Sequence, residues 1–155
     1  MELKEISEKF NHVGKKYKLP SFEDINKEFE IEKIDRDSQI ILRVVRKVMM
    51  EKIVNLLGLL DMFISPNNVP RVYMPYLKSM SPEERNDMVE LYDNFSSLTL
   101  DCLPLELVYS EKDEAEVILK ILERWKKSKL SLAEIFAKMK KPSILENKKE
   151  KSYFG

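Results

Sequence analysis

The chain has 155 residues, which suits one folded domain, and 43% of them are apolar, enough for a hydrophobic core. Its 27 Lys and Arg residues balance 27 Asp and Glu residues, which excludes a uniformly basic nucleic-acid binder and a wholly acidic disordered chain. With three glycines, one cysteine and one histidine, the sequence also excludes a glycine-rich phosphate loop, a structural zinc site and an internal disulfide.

Two amphipathic segments open the chain. The first lies within residues 1–20 and is expected to dock loosely, because a glycine and a Lys-rich stretch follow its apolar repeat. The second begins after Ser21, whose side-chain oxygen is suited to cap a helix with two acids in its first turn. The two apolar faces are predicted to comprise Leu3, Ile6 and Phe10 in the first segment, and Phe22, Ile25 and Phe29 in the second.

Residues 38–64 are predicted to form a long central helix. Apolar side chains cover most of its circumference, so other helices are expected to surround it. At a rise of 1.5 Å per residue the helix would be about 40 Å long. Charged residues interrupt the apolar run too often for a membrane span. The non-apolar positions trace a narrow stripe: Arg43, Lys47, Glu51, Asn55, Gly58 and Asp61.

The middle of the chain contains the strongest helix start. Residues 65–70 include two prolines and two asparagines, which indicates a break. Ser81, Pro82 and Glu84 then form a capping-box pattern, which predicts a helix over 82–98. Residues 98–109 mix leucines with polar residues and a proline, and this pattern leaves a bent helical turn and a short extended piece both open.

The last third predicts two further helices and a tail. Ser110 precedes an acidic first turn, Ser131 opens a second capping box, and Pro142 is expected to end the short helix that follows. Residues 143–155 are mostly Lys, Glu, Ser and Asn and are predicted to be a flexible C-terminal tail. The sequence therefore predicts an all-α fold, an irregular bundle of five or six helices around a long central apolar helix, with residues 1–142 as a single helical domain.

The residues that most often carry catalysis are scarce. His12 is the only imidazole and is expected at the surface, and Cys102 lies among leucines and is expected to be a small buried hydrophobe. No cofactor is predicted. A lone cysteine and the lack of an apolar N-terminal segment predict a cytoplasmic protein.

Carboxylates are the one catalytic group in good supply. Glu84 and Asp87 are three residues apart on one predicted helix, and Glu111 and Glu114 repeat that spacing on the next. Two such pairs could hold Mg²⁺, which prefers several oxygen ligands. The spacing resembles the paired-acid pattern of all-α NTP pyrophosphatases, over about 35 residues, and the resemblance implies Mg²⁺-dependent nucleotide hydrolysis.

Charge is distributed unevenly along the chain. Residues 81–117 carry 11 acids and 2 bases, whereas residues 118–155 carry 11 bases and 4 acids. One interpretation is that the acidic and basic helices lie side by side and compensate each other. The other is a face that binds nucleic-acid phosphates or an acidic partner, formed by Lys120, Arg124, Lys126, Lys127, Lys129, Lys138, Lys140 and Lys141.

The leading functional hypothesis is a non-enzymatic helical adaptor or accessory subunit that acts through protein–protein contacts. A nucleic-acid-associated accessory protein and the Mg²⁺-dependent enzyme are the alternatives. A protein partner is predicted, a homo-oligomer stays open, and no membrane association is expected. Tyr153 and Phe154 offer a further docking element, because two aromatic side chains end a Lys-rich tail.

Overall fold

A computed structural model of the protein describes residues 3–34, 40–65, 67 and 69–153, with side chains up to residue 138 apart from that of Lys33. The described residues form helices and connections and contain no strand. The all-α prediction is therefore confirmed. The α-helices of these described residues are α1 (Leu3–Lys16), α2 (Phe22–Phe29), α3 (Ile41–Ile64), α4 (Met74–Ser79), α5 (Pro82–Leu107) and α6 (Glu111–Tyr153).

Helices α1 and α2 both contribute to the core. Phe10 of α1 is fully buried and packs edge-on against Phe22 of α2, with ring centroids 5.9 Å apart. The side chain of Ser21 accepts a hydrogen bond from the backbone N–H of Asp24, as the capping pattern predicts. Helix α1, which was expected to dock loosely, thus has a buried apolar face.

Helix α3 lies at the centre of the bundle and packs against α1, α2, α5 and α6. Most of the predicted polar stripe is exposed, and Arg43 is half-buried. Arg46 is different, because it follows Leu42 and precedes Met49 on the buried face and is itself 2% exposed. The prediction of a long central helix is confirmed, with one buried cation in its apolar surface.

Helix α5 begins with the predicted capping box. The Ser81 hydroxyl accepts from the backbone N–H of Glu84 at 3.1 Å, and the Glu84 carboxylate accepts from the backbone N–H of Ser81 at 3.4 Å. The helix then passes through Pro104 and ends at Leu107. Of the two conformations left open for residues 98–109, the helical one is correct up to Leu107.

Helix α6 is one continuous helix of 43 residues. The predicted boundary at Ser131 is wrong, because the buried positions Ile121, Leu122, Leu132 and Ile135 keep one helical register across it. The predicted end at Pro142 is also wrong, since α6 extends to Tyr153. A proline inside a helix removes one hydrogen bond and kinks the helix without having to end it. The flexibility of residues 143–155 stays a prediction.

The three long helices alternate in direction where they touch. Arg46 near the start of α3 contacts Glu106 near the end of α5, and Lys120 of α6 contacts Asp101 of α5. Helices α3 and α6 therefore both run antiparallel to α5, and their N-terminal ends meet beside the C-terminal end of α5. None of the helices in the described part of the chain is apolar over enough length to cross a bilayer.

Candidate functional site

A buried cluster of charges joins α3, α5 and α6. The Arg43 Nε donates to Glu114 Oε1 at 3.1 Å, and Arg46 Nε donates to Glu114 Oε2. Arg46 also donates through Nη2 to Glu106 Oε1 at 2.8 Å. The side chains of Arg46 and Glu114 are 2% and 0% exposed, so their charges are compensated within the protein rather than by water.

The contacts within this cluster favour the ionised forms of Arg46 and Glu106. Burial opposes the charge of Arg46, but hydrogen bonds to Glu114 and Glu106 outweigh it and raise the pKa of the guanidinium. The hydrogen bond from Arg46 in turn lowers the pKa of Glu106. Burial raises the pKa of the neighbouring Cys102 thiol, so the thiol stays protonated near neutral pH. The arrangement fits a structural ion cluster that sets the angles of three helices.

The four acids predicted to share a metal ion are not brought together. Glu114 is committed to the arginine cluster, and Glu111 accepts hydrogen bonds from Tyr17 at 2.8 Å and Lys16 at 3.2 Å. These hydrogen bonds lower the pKa of Glu111, and the one from Tyr17 has the larger effect. Glu84 and Asp87 lie near the start of α5, about 35 Å by helical rise from its C-terminal end, beside which Glu114 lies. The predicted four-acid site is therefore wrong, because α5 and α6 run antiparallel.

Glu84 and Asp87 instead line a groove between α5 and α6 with a volume of about 350 Å³. Glu90 of α5 and Glu134 of α6 add carboxylates, and Lys127 and Lys138 of α6 add cations. Within the part of the chain that the structure describes, no three His, Cys, Asp or Glu residues are placed to hold one metal ion. The groove has a mixed lining rather than the all-oxygen lining of a magnesium site.

The predicted basic residues lie on two sides of α6. By helical periodicity, four of them project toward the flank of α6 that faces α5. Two others point away from that flank, because they are rotated from it by about 120° to 180° around the helix axis. Those on the first flank are Lys120, Arg124, Lys127 and Lys138, and those on the second are Lys126 and Lys129. The side chains of Lys140, Lys141 and Tyr153, and the whole of Phe154, lie outside the described residues.

Several of these cations are engaged with neighbouring groups. Lys120 pairs with Asp101 at 3.4 Å and Lys127 with Glu123 at 2.8 Å. Lys129 pairs with Glu28 at 2.8 Å, and Arg124 donates to the backbone oxygen of Asn94 at 2.6 Å and to the Ser97 hydroxyl. Of these ion pairs, Lys120–Asp101 joins the acidic and basic helices as the compensation interpretation expects, whereas Lys127 pairs within α6 and Lys129 pairs with α2.

The aromatic side chain beside these cations belongs to the core. Trp125 packs against Phe29 and Phe95 with ring centroids 5.4 and 6.4 Å away, and its Nε1 donates to Glu28 Oε2 at 2.9 Å. Lys52 lies over the same ring, 5.2 Å from its centroid. An indole held in this way is not a platform for stacking a nucleic-acid base.

The surface feature that sequence reasoning missed is a group of exposed apolar side chains at the C-terminal end of α5. We call it the α5 leucine patch. Its members are from 61% to 86% exposed: Leu100 (66%), Leu103 (61%), Leu107 (86%) and Val108 (71%). A signal was present, since residues 98–107 carry leucines on two opposite faces of one helix, more than a single core contact needs.

No family model, no curated protein and no solved structure matches this chain.

Proposed function

We propose that the protein is a non-enzymatic helical adaptor or accessory subunit that acts through protein–protein contacts. The observation that carries the proposal is the α5 leucine patch. Single exposed leucines are ordinary on protein surfaces, but neighbouring ones on one helix face form a contiguous apolar area. Such areas commonly mark a contact with another protein.

The size of the patch supports this proposal. From the exposed fractions of Leu100, Leu103, Leu107 and Val108, the patch presents roughly 500 Å² of mostly apolar surface, near the upper end for a monomeric protein. Burying one leucine fully stabilises a complex by about 1.5–3 kcal/mol before the costs of association. Burial of the patch can therefore supply the central contact of an interface.

The charged groups support the proposal in a second way. Every buried side-chain nitrogen and oxygen among the described residues has a hydrogen-bond partner inside the protein. The buried carboxylate and guanidinium of Glu114 and Arg46 stabilise the helix arrangement and are closed off from solvent. Among the described residues, folding thus explains the strongest buried charges but does not explain the exposure of the patch.

The test is site-specific photo-crosslinking in the cells from which the protein comes. A benzophenone amino acid is placed at Leu107, the most exposed member of the patch, and in a matched control at Leu130, which is 74% exposed on α6. The proposal expects protein adducts from position 107 and none from position 130. The absence of adducts at position 107, or equal adducts at both positions, would contradict it.

A parallel binding measurement addresses the nucleic-acid alternative. The full chain is titrated with short duplex and single-stranded DNA and RNA at low salt. Binding that weakens steeply with added salt would favour the alternative, because cations that contact phosphates release counterions. The contact proposal expects no such binding, since the described basic residues lie on two sides of α6 and several pair with acids.

A further inference from the structure

The spacing within the α5 leucine patch is that of a helix-packing seam. Leu100, Leu103 and Leu107 are separated by three and four residues, which places them on one side of α5. The buried residues Leu98 and Leu105 lie on the opposite side. Residues three and four apart form the contact line along which two helices pack side by side.

The area of the patch fits a weak, reversible contact between two identical surfaces. One copy contributes roughly 500 Å² and two copies roughly 1,000 Å², below the lower limit of about 1,200 Å² for a specific stable interface and in the range of transient ones. A twofold interface uses the same patch on both subunits, so no second surface is required.

The charges beside the patch are mostly compensated. Toward α6, Lys120 and Asp101 form a neutral pair at 3.4 Å. Toward α3, Lys47 lies 3.2 Å from Glu106, which also binds Arg46 of the buried cluster, and that cluster as a whole carries one net positive charge. These flanking groups therefore give only a weak repulsion between identical surfaces and do not favour a strongly acidic or strongly basic partner.

We infer that the α5 leucine patch is a homodimer interface in which two α5 helices pack antiparallel around a twofold axis close to Leu103. Leu100 of one copy then faces Leu107 of the partner subunit, and the two copies of Leu103 lie near the axis. This inference rests on the proposed function, because it names the partner of the same surface.

The first test is sedimentation of the full chain from about 1 to about 100 µM, the range over which a dimer with micromolar affinity forms. We expect the mass to rise from 18.3 kDa toward twice that value. Leu103→Glu should raise the dimer Kd by at least about tenfold, because it places two carboxylates at the axis. Leu130→Glu, a change at a leucine of similar exposure on α6, should leave the Kd unchanged.

Circular dichroism and the emission of Trp125 report whether each variant is folded. Both substituted leucines are mostly exposed, so both variants are expected to keep the helical content of the original chain.

A second measurement tests the geometry. Leu103→Cys is made in a Cys102→Ala background, and Leu130→Cys in the same background is the control. Mild oxidation should link the first variant into a disulfide dimer and leave the second monomeric, since a disulfide requires Cα atoms within about 7 Å.

The outcomes separate the inference from the proposed function. A chain that sediments as a monomer at every concentration overturns the homodimer, as does a dimer that Leu103→Glu leaves unchanged. If the chain does not dimerise but crosslinking at Leu107 yields adducts with a different protein, the homodimer inference is wrong and the proposed function stands. If crosslinking at Leu107 yields no adduct as well, both are wrong.

Discussion

Arg46 of α3 and Glu114 of α6 form an ion pair in the interior of the bundle, although 68 residues separate them in the chain. Neither side chain is more than 2% exposed. Charges are expensive to bury, and this pair is held by additional contacts from Arg43 and Glu106 that satisfy the remaining hydrogen-bonding groups. The pair therefore fixes how the start of α6 sits against α3.

Removing one member of this pair should destabilise the fold strongly. Glu114→Ala leaves the Arg46 charge buried with only Glu106 beside it, and we expect a loss of about 3–5 kcal/mol in the free energy of unfolding. Urea denaturation followed by Trp125 emission measures this. The double variant Arg46→Met with Glu114→Leu should recover much of the loss, because no uncompensated charge remains between them.

The matched control is Glu123→Ala, which breaks the exposed pair with Lys127 on the same helix. Its urea midpoint should stay close to that of the original chain. If Glu114→Ala were no more destabilising than Glu123→Ala, the buried cluster would not determine the helix arrangement.

Truncating Phe10 tests whether α1 is part of the core. Phe10 is fully buried, so Phe10→Ala should cost about 3–5 kcal/mol through lost burial and the cavity left behind. Leu3→Ala changes a residue on the same helix that is 42% exposed and should cost no more than about 0.5 kcal/mol. Equal urea midpoints for the two variants would indicate the loose docking that the sequence predicts.

The capping box of α5 gives a third prediction. Ser81→Ala removes the acceptor for the Glu84 N–H and should lower the free energy of unfolding by about 1 kcal/mol. Ser96→Ala is the control, since the Ser96 hydroxyl donates to the Asp93 carbonyl within the same helix and is exposed. Thermal unfolding by circular dichroism should therefore show a lower Tm for the first variant and no decrease for the second.

The contact between α2 and α6 predicts a pH dependence. Hydrogen bonds from Lys129 and from the Trp125 indole lower the pKa of Glu28 below its usual value of 4.5. A carboxyl with a lower pKa in the folded state stabilises the protein above its unfolded pKa, and this contribution is lost as the pH falls through the folded pKa. Glu28 is partly exposed, so the contribution should be below about 1 kcal/mol.

Urea unfolding at about pH 7 and about pH 3 measures this contribution. Glu28→Gln should reduce the loss of stability between the two values, and Lys129→Met should act in the same direction because it removes the larger cause of the shift. A loss of stability that is the same in all three proteins would show that the contact does not contribute to acid unfolding.

Local patterns predicted the elements whose signals are contained within a few residues. The caps at Ser21 and Ser81 formed as expected, because a hydroxyl oxygen and a backbone N–H three residues away meet whenever the helix starts there. The boundary at Ser131 failed for the opposite reason. Its capping pattern is local and indicates a new helix, but Leu132 and Ile135 continue the buried register of α6. Packing of these residues in the core therefore favours one continuous helix.

The candidate sites were predicted less well than the fold. The alternative of four carboxylates around one ion fails because chain direction separates them, and one of them, Glu114, is buried in an ion pair. The cation at Arg46 could have been recognised as a buried one, since it occupies an apolar position between Leu42 and Met49. The partners of Arg46 could not have been recognised from the sequence, because nothing local relates residue 46 to residue 114.

The amino-acid sequence by itself determined that this chain is helical, that α3 is its apolar centre, and where two helices begin, because periodicity and capping depend on neighbouring residues. The tertiary structure alone decided which leucine face of α5 is buried and which is exposed. Both faces of that helix are apolar, and only the positions of α3 and α6 leave Leu100, Leu103 and Leu107 in contact with water.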